Sequence, residues 1–374
     1  TRGHRWFSPF TKGSLEGIMD LSEFFSKKKE AVALDIGSNS IKLVQMRQAK
    51  KGWELQKLGL AYLPPEAIVD GSIIDSMTVT NTISGLLKEH KVKVKEAVSS
   101  LAGHSVIIKK VSLAAMTEEE LGESIQWEAE QYIPFPMTDV NIDFQILGEN
   151  QDAKGQMDVM LVAVKKDVIN DYVNVIKEAG LNPIVMDVDS FALENMVEVN
   201  YTLAPNENVA MVSIGASIMS ISVIAGGVTV FTRSTPAGGN QYTEEIQRRF
   251  NVSFKEAEDI KLGRPGAQVN PEEAASVVNG VTNNMALEVK RSLDFFLGGN
   301  PSVMIGRIML AGGAAKTKGL RESLQDRTAM PVELVNPFNG LTLNPKNFAD
   351  EYLTEMAPHF GVAVGLATRR LGDR

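Results

Sequence analysis

The sequence predicts an α/β fold made of two duplicated halves. Predicted strands alternate with predicted helices from residue 30 onward. The segment DIGSNSIKLVQ, a strand with a glycine turn and a returning strand, recurs as SIGASIMSISV, which aligns Ile36 and Gly37 with Ile214 and Gly215. One repeat over this distance indicates a duplicated domain rather than a solenoid. The length of 374 residues, of which 44% are hydrophobic, is enough for at least two cores.

The first lobe is predicted at residues 30–106 and is completed by 182–205 and 349–374. AVALDIG, IKLVQMRQ and WELQKLGLAYL are predicted strands, Val79–Glu89 is a predicted amphipathic helix, and EAVSSLAG is a further strand. Residues 1–29 are irregular in pattern and are interpreted as a flexible leader. A weak interfacial helix in that leader is the alternative.

An inserted subdomain is predicted at residues 107–181. Thr117 followed by Glu120 is the capping-box signature of a helix start, and that helix ends before Pro134. VNIDFQILGE and QMDVMLVAVK then predict a hairpin, and a second helix is expected at Lys166–Ala179. The result is a strand, helix, strand, strand, helix module.

The second lobe is predicted at residues 206–348, with a helical subdomain at 241–297. The strand NPIVMDVDS and the helix FALENMVEVN lead into it. GRIMLAGGAAKTKGL predicts a strand, a Gly-Gly turn and the start of a helix. The chain closes with a small-residue helix in APHFGVAVGLATRR.

The composition excludes several classes of function. Without cysteine, a disulfide framework, a thiolate metal site and a cysteine nucleophile are excluded, and the four histidines are scattered. The net charge of −8 argues against nucleic-acid binding, which needs clustered lysine and arginine. No stretch approaches the ~20 apolar residues of a membrane-spanning helix, and no signal peptide is visible. We therefore expect a cytoplasmic protein.

The first glycine turn has the composition of a phosphate-binding loop. Gly37 lets the backbone approach a ligand closely, and successive N–H groups can point at one anion. Lys42 on the returning strand can place its ammonium near a phosphate. Asp35 can hold a hydrated Mg²⁺, which keeps several waters and takes one or two carboxylates. An ordinary polar hairpin is the alternative interpretation.

Two further glycine turns, at Gly215 and at Gly312, follow in an order that resembles the actin-like ATPase superfamily, which includes sugar kinases, chaperone ATPases and the division protein FtsA. The resemblance covers residues 30–374 and implies a ribonuclease H-like duplicated fold that binds ATP and Mg²⁺ between its halves. The positions that match the nucleotide contacts of the family are Gly37, Ser38, Asn39, Ser40, Lys42, Ser213, Gly215, Ala216, Ser217, Gly238, Gly239, Glu258, Lys261, Gly312, Gly313 and Ala314.

The resemblance also implies a catalytic role for Asp35, which would hold Mg²⁺ through water, and for Asp189. Asp187 and Asp189 can equally be a strand end and a helix N-cap. Ser213 stands where the second phosphate loop of the family usually begins with Asp. Since a hydroxyl is neither charged nor basic, we expect nucleotide binding with slow hydrolysis or none; loss of a positioned group commonly lowers a rate ~10²–10⁴-fold.

Among members of the superfamily, the inserted module is similar to that of FtsA. The strings KKKEAVALDIGSNSIKLVQ, IQWEAEQYIPFPMTDVNIDFQIL, LNPIVMDVDSFALEN and RSLDFF most resemble the PilM family of type IV pilus assembly proteins. This resemblance implies a protein of pilus biogenesis and twitching motility that binds the cytoplasmic N-terminal peptide of PilN in a groove beside the inserted module. Candidate contacts are Trp127 and Tyr132, whereas Ile125 is expected in the core.

The same resemblance implies further partners and a location. These are other pilus platform proteins, motor ATPases and a homo-oligomer or ring, at the cytoplasmic face of the inner membrane and attached to it only through partners. The alternatives are an FtsA-like division scaffold and a small-molecule kinase. FtsA ends in an amphipathic membrane-binding helix, whereas ATRRLGDR at the end of this sequence is too short for one, so direct anchoring is not expected.

Overall fold

The computed structural model describes residues 30–50, 52–150, 153–204, 206–264 and 269–371, so the predicted leader lies outside the described part. The elements up to the first connecting helix are β1 (Ala31–Ile36), β2 (Ser40–Ala49), β3 (Gly52–Tyr62), β4 (Ile68–Val69), β5 (Ser72–Ile73), α1 (Ser76–Glu89), β6 (Glu96–Leu101), β7 (Val106–Ala114), α2 (Glu118–Glu130), β8 (Val140–Glu149), β9 (Gln156–Lys165), α3 (Lys166–Glu178), β10 (Asn182–Val188) and α4 (Asp189–Asn200). A short 3₁₀ helix lies at Met137–Asp139.

The remaining elements form the second part of the chain. They are β11 (Asn208–Ile214), β12 (Met219–Ala225), β13 (Val228–Thr235), α5 (Gly239–Phe250), α6 (Phe254–Lys261), α7 (Pro271–Gly299), β14 (Ile305–Ala311), α8 (Leu320–Thr328), β15 (Val332–Leu334), β16 (Leu341–Thr342), α9 (Asp350–Met356) and α10 (Gly361–Ala367). A 3₁₀ turn at Ala357–Phe360 joins the last two helices.

Two large sheets repeat one topology. The first has the order β10-β6-β1-β2-β3-β16, and the second has the order β13-β12-β11-β14-β15. In each, an antiparallel hairpin (β1–β2 or β11–β12) lies next to a parallel strand (β6 or β14). The duplicated α/β fold predicted from the repeat is therefore confirmed.

The two connecting helices lie between the sheets. Buried side chains of α4 and α10 pack with residues from both sheets in one hydrophobic core. A side chain at Gly365 of α10 would clash with the carbonyl of Ala192 in α4, so the two helix backbones cross in close contact. Because β1 is covered on both faces, all six of its residues are buried, which explains its continuous apolar run.

The third sheet, with the order β7-β9-β8, has two apolar faces. Val159, Leu161 and Ala163 of β9 pack with α2, while the alternate residues pack with α3 and the first lobe. Thr117 and Glu120 form the predicted capping box at the start of α2. Helix α3, the predicted last element of the inserted module, thus contributes its buried face to the core of the first lobe.

Two helix starts differ from the predicted ones. Helix α1 begins three residues earlier than predicted because the side chain of Asp75 accepts a hydrogen bond from the backbone N–H of Thr78, 3.0 Å away. Helix α4 begins at Asp189, with Val188 as its N-cap, so Asp189 is the first helical residue and not the cap. In the described part of the chain, no helix has the length and apolarity needed to cross a membrane.

Candidate functional site

The first hairpin holds a buried ion pair beside its turn. Asp35 on β1 stands directly opposite Lys42 on β2, and the Lys42 ammonium lies 3.3 Å from the carboxylate. The two side chains are only 12% and 13% exposed. Within the turn, the N–H of Gly37 donates to the carbonyl of Ser40 at 3.2 Å, with Ser38 and Asn39 between them. The predicted residues of the first loop are therefore together, and Lys42 carries its charge close to Gly37.

The second hairpin repeats this geometry without the charges. The N–H of Gly215 donates to the carbonyl of Ile218 at 2.9 Å, which closes the turn around Ala216 and Ser217. Ser213 stands opposite Ser220, in the register that pairs Asp35 with Lys42 in the first hairpin. Sequence reasoning identified the loss of the carboxylate at Ser213 but missed the matching loss of the lysine, which the repeat contains because it aligns Lys42 with Ser220.

The start of α5 is held against the second hairpin. The N–H groups of Gly239 and Asn240 donate to the carbonyls of Gly215 and Ala216 at 2.9 and 2.8 Å. A side chain at Gly238 would clash with the Ala216 carbonyl, so this close approach requires glycine. The predicted residues of α5 thus lie beside the second turn.

The pair on α6 faces this same helix start. Glu258 and Lys261 form an ion pair on one face of α6, as their spacing predicts. The ammonium of Lys261 also donates to the carbonyl of Gly239 at 3.4 Å and to the hydroxyl of Thr243 at 3.1 Å. Thr243, which sequence reasoning missed, contacts Glu258 as well.

The Gly-Gly turn lies on the end of β11. Gly312 has a φ of 93°, and a side chain there would clash with the backbone of Ile214. The N–H of Ala314 donates to the Ile214 carbonyl at 3.0 Å. Since Ile214 directly precedes the second turn, the turn at Gly312 and Gly313 joins that hairpin, and all the predicted residues of the second lobe lie in one region.

His359 lies against the Gly-Gly turn, within range of the charge of Lys42 in the first hairpin. Its imidazole lies 3.4 Å from the point where a side chain at Gly313 would begin. Burial lowers the pKa of His359 to about 4, and the positive charges of Lys42 and Lys316 lower it further. The imidazole is therefore neutral at pH 7. Sequence reasoning missed this residue, because only the fold brings it next to these groups.

Asp189, at the start of α4, lies within range of the negative charge of Asp35. Burial raises the pKa of the Asp189 carboxyl to about 7, and the negative charge of Asp35 also raises it, whereas a hydrogen bond from Ser100 lowers it. The Ser100 hydroxyl lies 2.6 Å from the Asp189 carboxylate. Asp187 points elsewhere and forms a buried ion pair with Arg369 at 3.0 Å.

A cavity of about 230 Å³ lies between the third sheet and the two lobes. Its lining comes from the loop before β7 and the first half of β7, from the start of α4, and from β12 and β13. The hydroxyl of Ser190 lies in this lining; Ser190 is 8% exposed, and its Oγ has no hydrogen-bond partner among the described residues. The lining residues are Leu101, Ala102, Gly103, His104, Val106, Ile107, Ile108, Lys109, Val188, Asp189, Ser190, Ser220, Ile221, Thr232, Arg233 and Ser234.

The predicted partner residues lie outside this lining. Trp127 is 79% exposed on α2, and Tyr132 is partly buried against the core beneath that helix. Ile125 is a buried member of the same core, as the sequence analysis favoured. Trp127 therefore belongs to an exposed surface of α2 that is separate from the cavity.

Comparison with known proteins places this geometry in a family. FtsA of Bacillus subtilis is 23% identical over 256 residues, which cover 62% of this chain and 57% of that protein. A solved structure of a PilM–PilN type IV pilus biogenesis complex matches with a TM-score of 0.81 and 29% identity over 92% of this chain and 99% of the other. MreB5 of Spiroplasma citri bound to AMPPNP matches with a TM-score of 0.52 and 14% identity over 91% and 95% of the two chains, a likeness of fold alone.

The fold is therefore the predicted actin-like one. The sequence model described as type IV pilus assembly protein PilM matches residues 33–371. Because this match covers most of the sequence, the chain belongs to the PilM family of type IV pilus assembly proteins.

Proposed function

We propose that this protein is an ATP-binding component of the type IV pilus assembly platform that holds the cytoplasmic N-terminal peptide of a PilN-type membrane partner. The nucleotide part is carried by the second and third glycine turns, which meet at Ile214 and lie beside Lys261. The charge of Lys42 in the first turn acts on His359, which lies against the third turn. Backbone N–H groups and ammonium groups bind phosphate, and a glycine turn admits a flat base close to the backbone. The relative MreB5 was solved with the ATP analogue AMPPNP.

The acidic residues of the site fit a hydrated magnesium ion. Mg²⁺ typically keeps several waters and takes one or two carboxylates together with substrate phosphates, and Asp35 and Asp189 supply two neighbouring carboxyls. Lys42 lies 3.3 Å from Asp35 and competes for it, which favours coordination through water. Since Ser213 and Ser220 supply no carboxylate from the other side, we propose slow hydrolysis or none.

Nucleotide binding is tested with a fluorescent ATP analogue, with Mg²⁺ and with EDTA. Lys42→Met removes the ammonium from the first turn and is expected to weaken binding at least ~10-fold, since a charge-assisted hydrogen bond contributes about 1.5–3 kcal/mol. Lys88→Met removes an exposed ammonium from the last turn of α1 and is the matched control. No binding by the unaltered protein, or equal effects of the two substitutions, would contradict this part of the proposal.

The cavity is the proposed seat of the partner peptide. It lies between β7 and β13, which are both edge strands of their sheets. An extended peptide can pair with such an edge through main-chain hydrogen bonds, while side-chain pockets give specificity. The similar structure is a PilM–PilN complex, which supports a partner of this type. Contact through Trp127 and Tyr132 remains the alternative seat.

Two substitutions separate these seats. A labelled synthetic peptide with the cytoplasmic N-terminal sequence of the cognate PilN is titrated with the full chain. Thr232→Arg places a bulky charge on β13 in the cavity lining, whereas Trp127→Ala truncates the exposed side chain of α2. We expect the first to abolish binding and the second to leave it within about 2-fold, since an uninvolved surface truncation costs little. The reverse result would move the peptide to α2, and thermal melting checks that both variants fold.

The wider role belongs to the same proposal. In this role the protein links the membrane platform to the cytoplasmic motors at the inner face of the inner membrane. It also contacts other platform proteins and forms a homo-oligomer or ring. The 23% identity to FtsA of B. subtilis keeps a division scaffold as the alternative, and the chain spans only 57% of that relative. A small-molecule kinase would require robust phosphate release that depends on an added sugar or acid. Pull-down with PilN-type or with division partners, beside such a release assay, separates the three.

A further inference from the structure

The negative charge of the chain is concentrated in the inserted module. Residues 111–153 contain ten acidic residues and no lysine, arginine or histidine, whereas the net charge of the whole chain is −8, so the remainder is weakly basic. Six of these carboxylates are on α2, which has no basic residue in its last turn to complement the helix dipole. Glu119, Glu123 and Glu130 repeat on one exposed side of α2 and form no ion pair with any described residue.

Trp127 stands exposed among these carboxylates. It is 79% exposed and lies one turn from both Glu123 and Glu130. The helix does not need it for packing, because its buried side consists of Leu121, Ile125 and Ala129. An indole face attracts a cation, and neighbouring carboxylates pair with the same cation. We define the acidic face of α2 as Glu119, Glu123, Trp127 and Glu130, and this face fits a cationic protein surface.

The first lobe carries a matching basic segment between α1 and β6. Four exposed lysines fall within eight residues there and form no ion pair among the described residues. Val92 and Val94, which alternate with them, pack against the core of the lobe and thereby keep the lysines outward. We define the lysine turn as Lys88, Lys91, Lys93 and Lys95.

Lys91 occupies a position that favours glycine. Its φ is 50°, in the left-handed region, and the N–H of Val92 donates to the carbonyl of Leu87 at 2.9 Å. This is the Schellman arrangement that ends many helices, and its left-handed residue is usually glycine because a side chain is unfavourable there. A lysine at this point lowers stability, which indicates a role for its charge outside the fold.

The acidic face and the lysine turn are separated within one molecule. Helix α2 packs on one face of the third sheet, whereas α3 lies on the other face and joins the core of the first lobe. Lys95 lies beyond α3 and donates to the carbonyl of Gly180 at 3.5 Å. The lysine turn also precedes β6, while the cavity begins at Leu101, at the opposite end of that strand.

We infer that the acidic face of α2 in one copy binds the lysine turn of a second copy. This inference rests on the homo-oligomer in the proposed function and names its two surfaces. Because the surfaces differ, the contact is head-to-tail, and it forms a ring if the rotation closes and a filament if it does not. An anionic membrane would fit the lysines but would repel the acidic face and leave Trp127 uncovered, whereas one contact between copies accounts for both.

Sedimentation velocity of the full chain with Mg-ATP, over a range of protein and salt concentrations, tests the contact. We expect self-association that weakens with salt. Lys91→Glu with Lys93→Glu, or Glu123→Lys with Glu130→Lys, should weaken it at least ~10-fold through like-charge contacts. All four substitutions in one chain exchange the charges and should restore it. The control is Lys318→Glu with Lys346→Glu, which changes two other exposed lysines and should stay within about 2-fold.

Two single substitutions separate this contact from folding and from peptide binding. Trp127→Ala should weaken self-association at least ~10-fold, as a central aromatic residue of an interface does, and leave the affinity for the PilN peptide within about 2-fold. Lys91→Gly should raise the urea midpoint, because it relieves the left-handed residue, and yet weaken self-association about 2- to 5-fold.

The outcomes distinguish the contact from the oligomer itself. Self-association that the charge variants change no more than the control, or that the fourfold variant fails to restore, overturns the inference and leaves the proposed oligomer standing. A protein that stays monomeric throughout overturns both, but not the nucleotide and peptide parts of the proposed function. If the lysine-turn variant associates normally and instead loses flotation with phosphatidylglycerol vesicles, the turn contacts a membrane and the inference is wrong.

Discussion

Removal of the Asp189 charge should stabilise the ligand-free protein above neutral pH. The folded-state pKa of this carboxyl is raised to about 7, from an ordinary value of 3.8. The folded protein therefore binds a proton more tightly than the unfolded chain, so stability is lost as the pH rises from about 4 to 7 and stays low above that. Asp189→Asn carries no such charge and should not show this loss.

The size of the effect follows from the same linkage. A pKa difference of this size corresponds to a loss of at most about 4 kcal/mol in the free energy of unfolding. Roughly half of this loss has already occurred at pH 5.5. Asp189 borders the cavity and keeps some contact with water, which screens its charge. We therefore expect a gain of ~1–3 kcal/mol at pH 8 that shrinks steadily as the pH falls below 6.

Urea unfolding at several pH values measures this gain. The urea midpoint of Asp189→Asn should exceed that of the unaltered protein at pH 8, and the two should converge toward pH 4. Asp171→Asn should remain within ~0.5 kcal/mol throughout, as is usual for a surface position. A less stable Asp189→Asn protein at pH 8, or a gain that does not depend on pH, would refute the electrostatic account of this site.

Three further predictions concern Gly365, Thr117 and His359. Gly365→Ala should destabilise the fold by at least ~2 kcal/mol in urea unfolding, because its methyl group meets a carbonyl of α4. Gly280→Ala, in open space on α7, is the control and should stabilise the fold by about 0.5–1 kcal/mol. Equal effects of the two substitutions would contradict the close crossing of α4 and α10. Thr117→Ala should lower stability by ~1 kcal/mol through loss of the α2 cap, and Thr117→Ser should restore it. His359 has a pKa lowered from 6.5 to about 4, so it should reduce stability as the pH falls through that range, and His359→Gln should remove this pH dependence from the urea midpoint.

Local signals and the internal repeat were sufficient to predict much of the fold from the sequence. The cap at Thr117 was predictable because both of its partners lie within one turn of sequence. The start of α1 was missed because Asp75 caps it from a position that no hydrophobic repeat marks. His359 and Arg369 were missed for a different reason. Each meets its partners only after the second connecting helix folds between the sheets, and a sequence pattern carries no trace of that contact.

The duplicated hairpins explain why binding and hydrolysis need not go together in this chain. Both hairpins present a turn of N–H groups, but only the first keeps a carboxylate and an ammonium in register, at Asp35 and Lys42. The second places two hydroxyls there, at Ser213 and Ser220. Between the paired strand positions, a polyphosphate would meet neutral hydroxyls from the second hairpin and the ammonium of Lys42 from the first. If this site holds a nucleotide as proposed, the second hairpin contributes no carboxylate that could activate water.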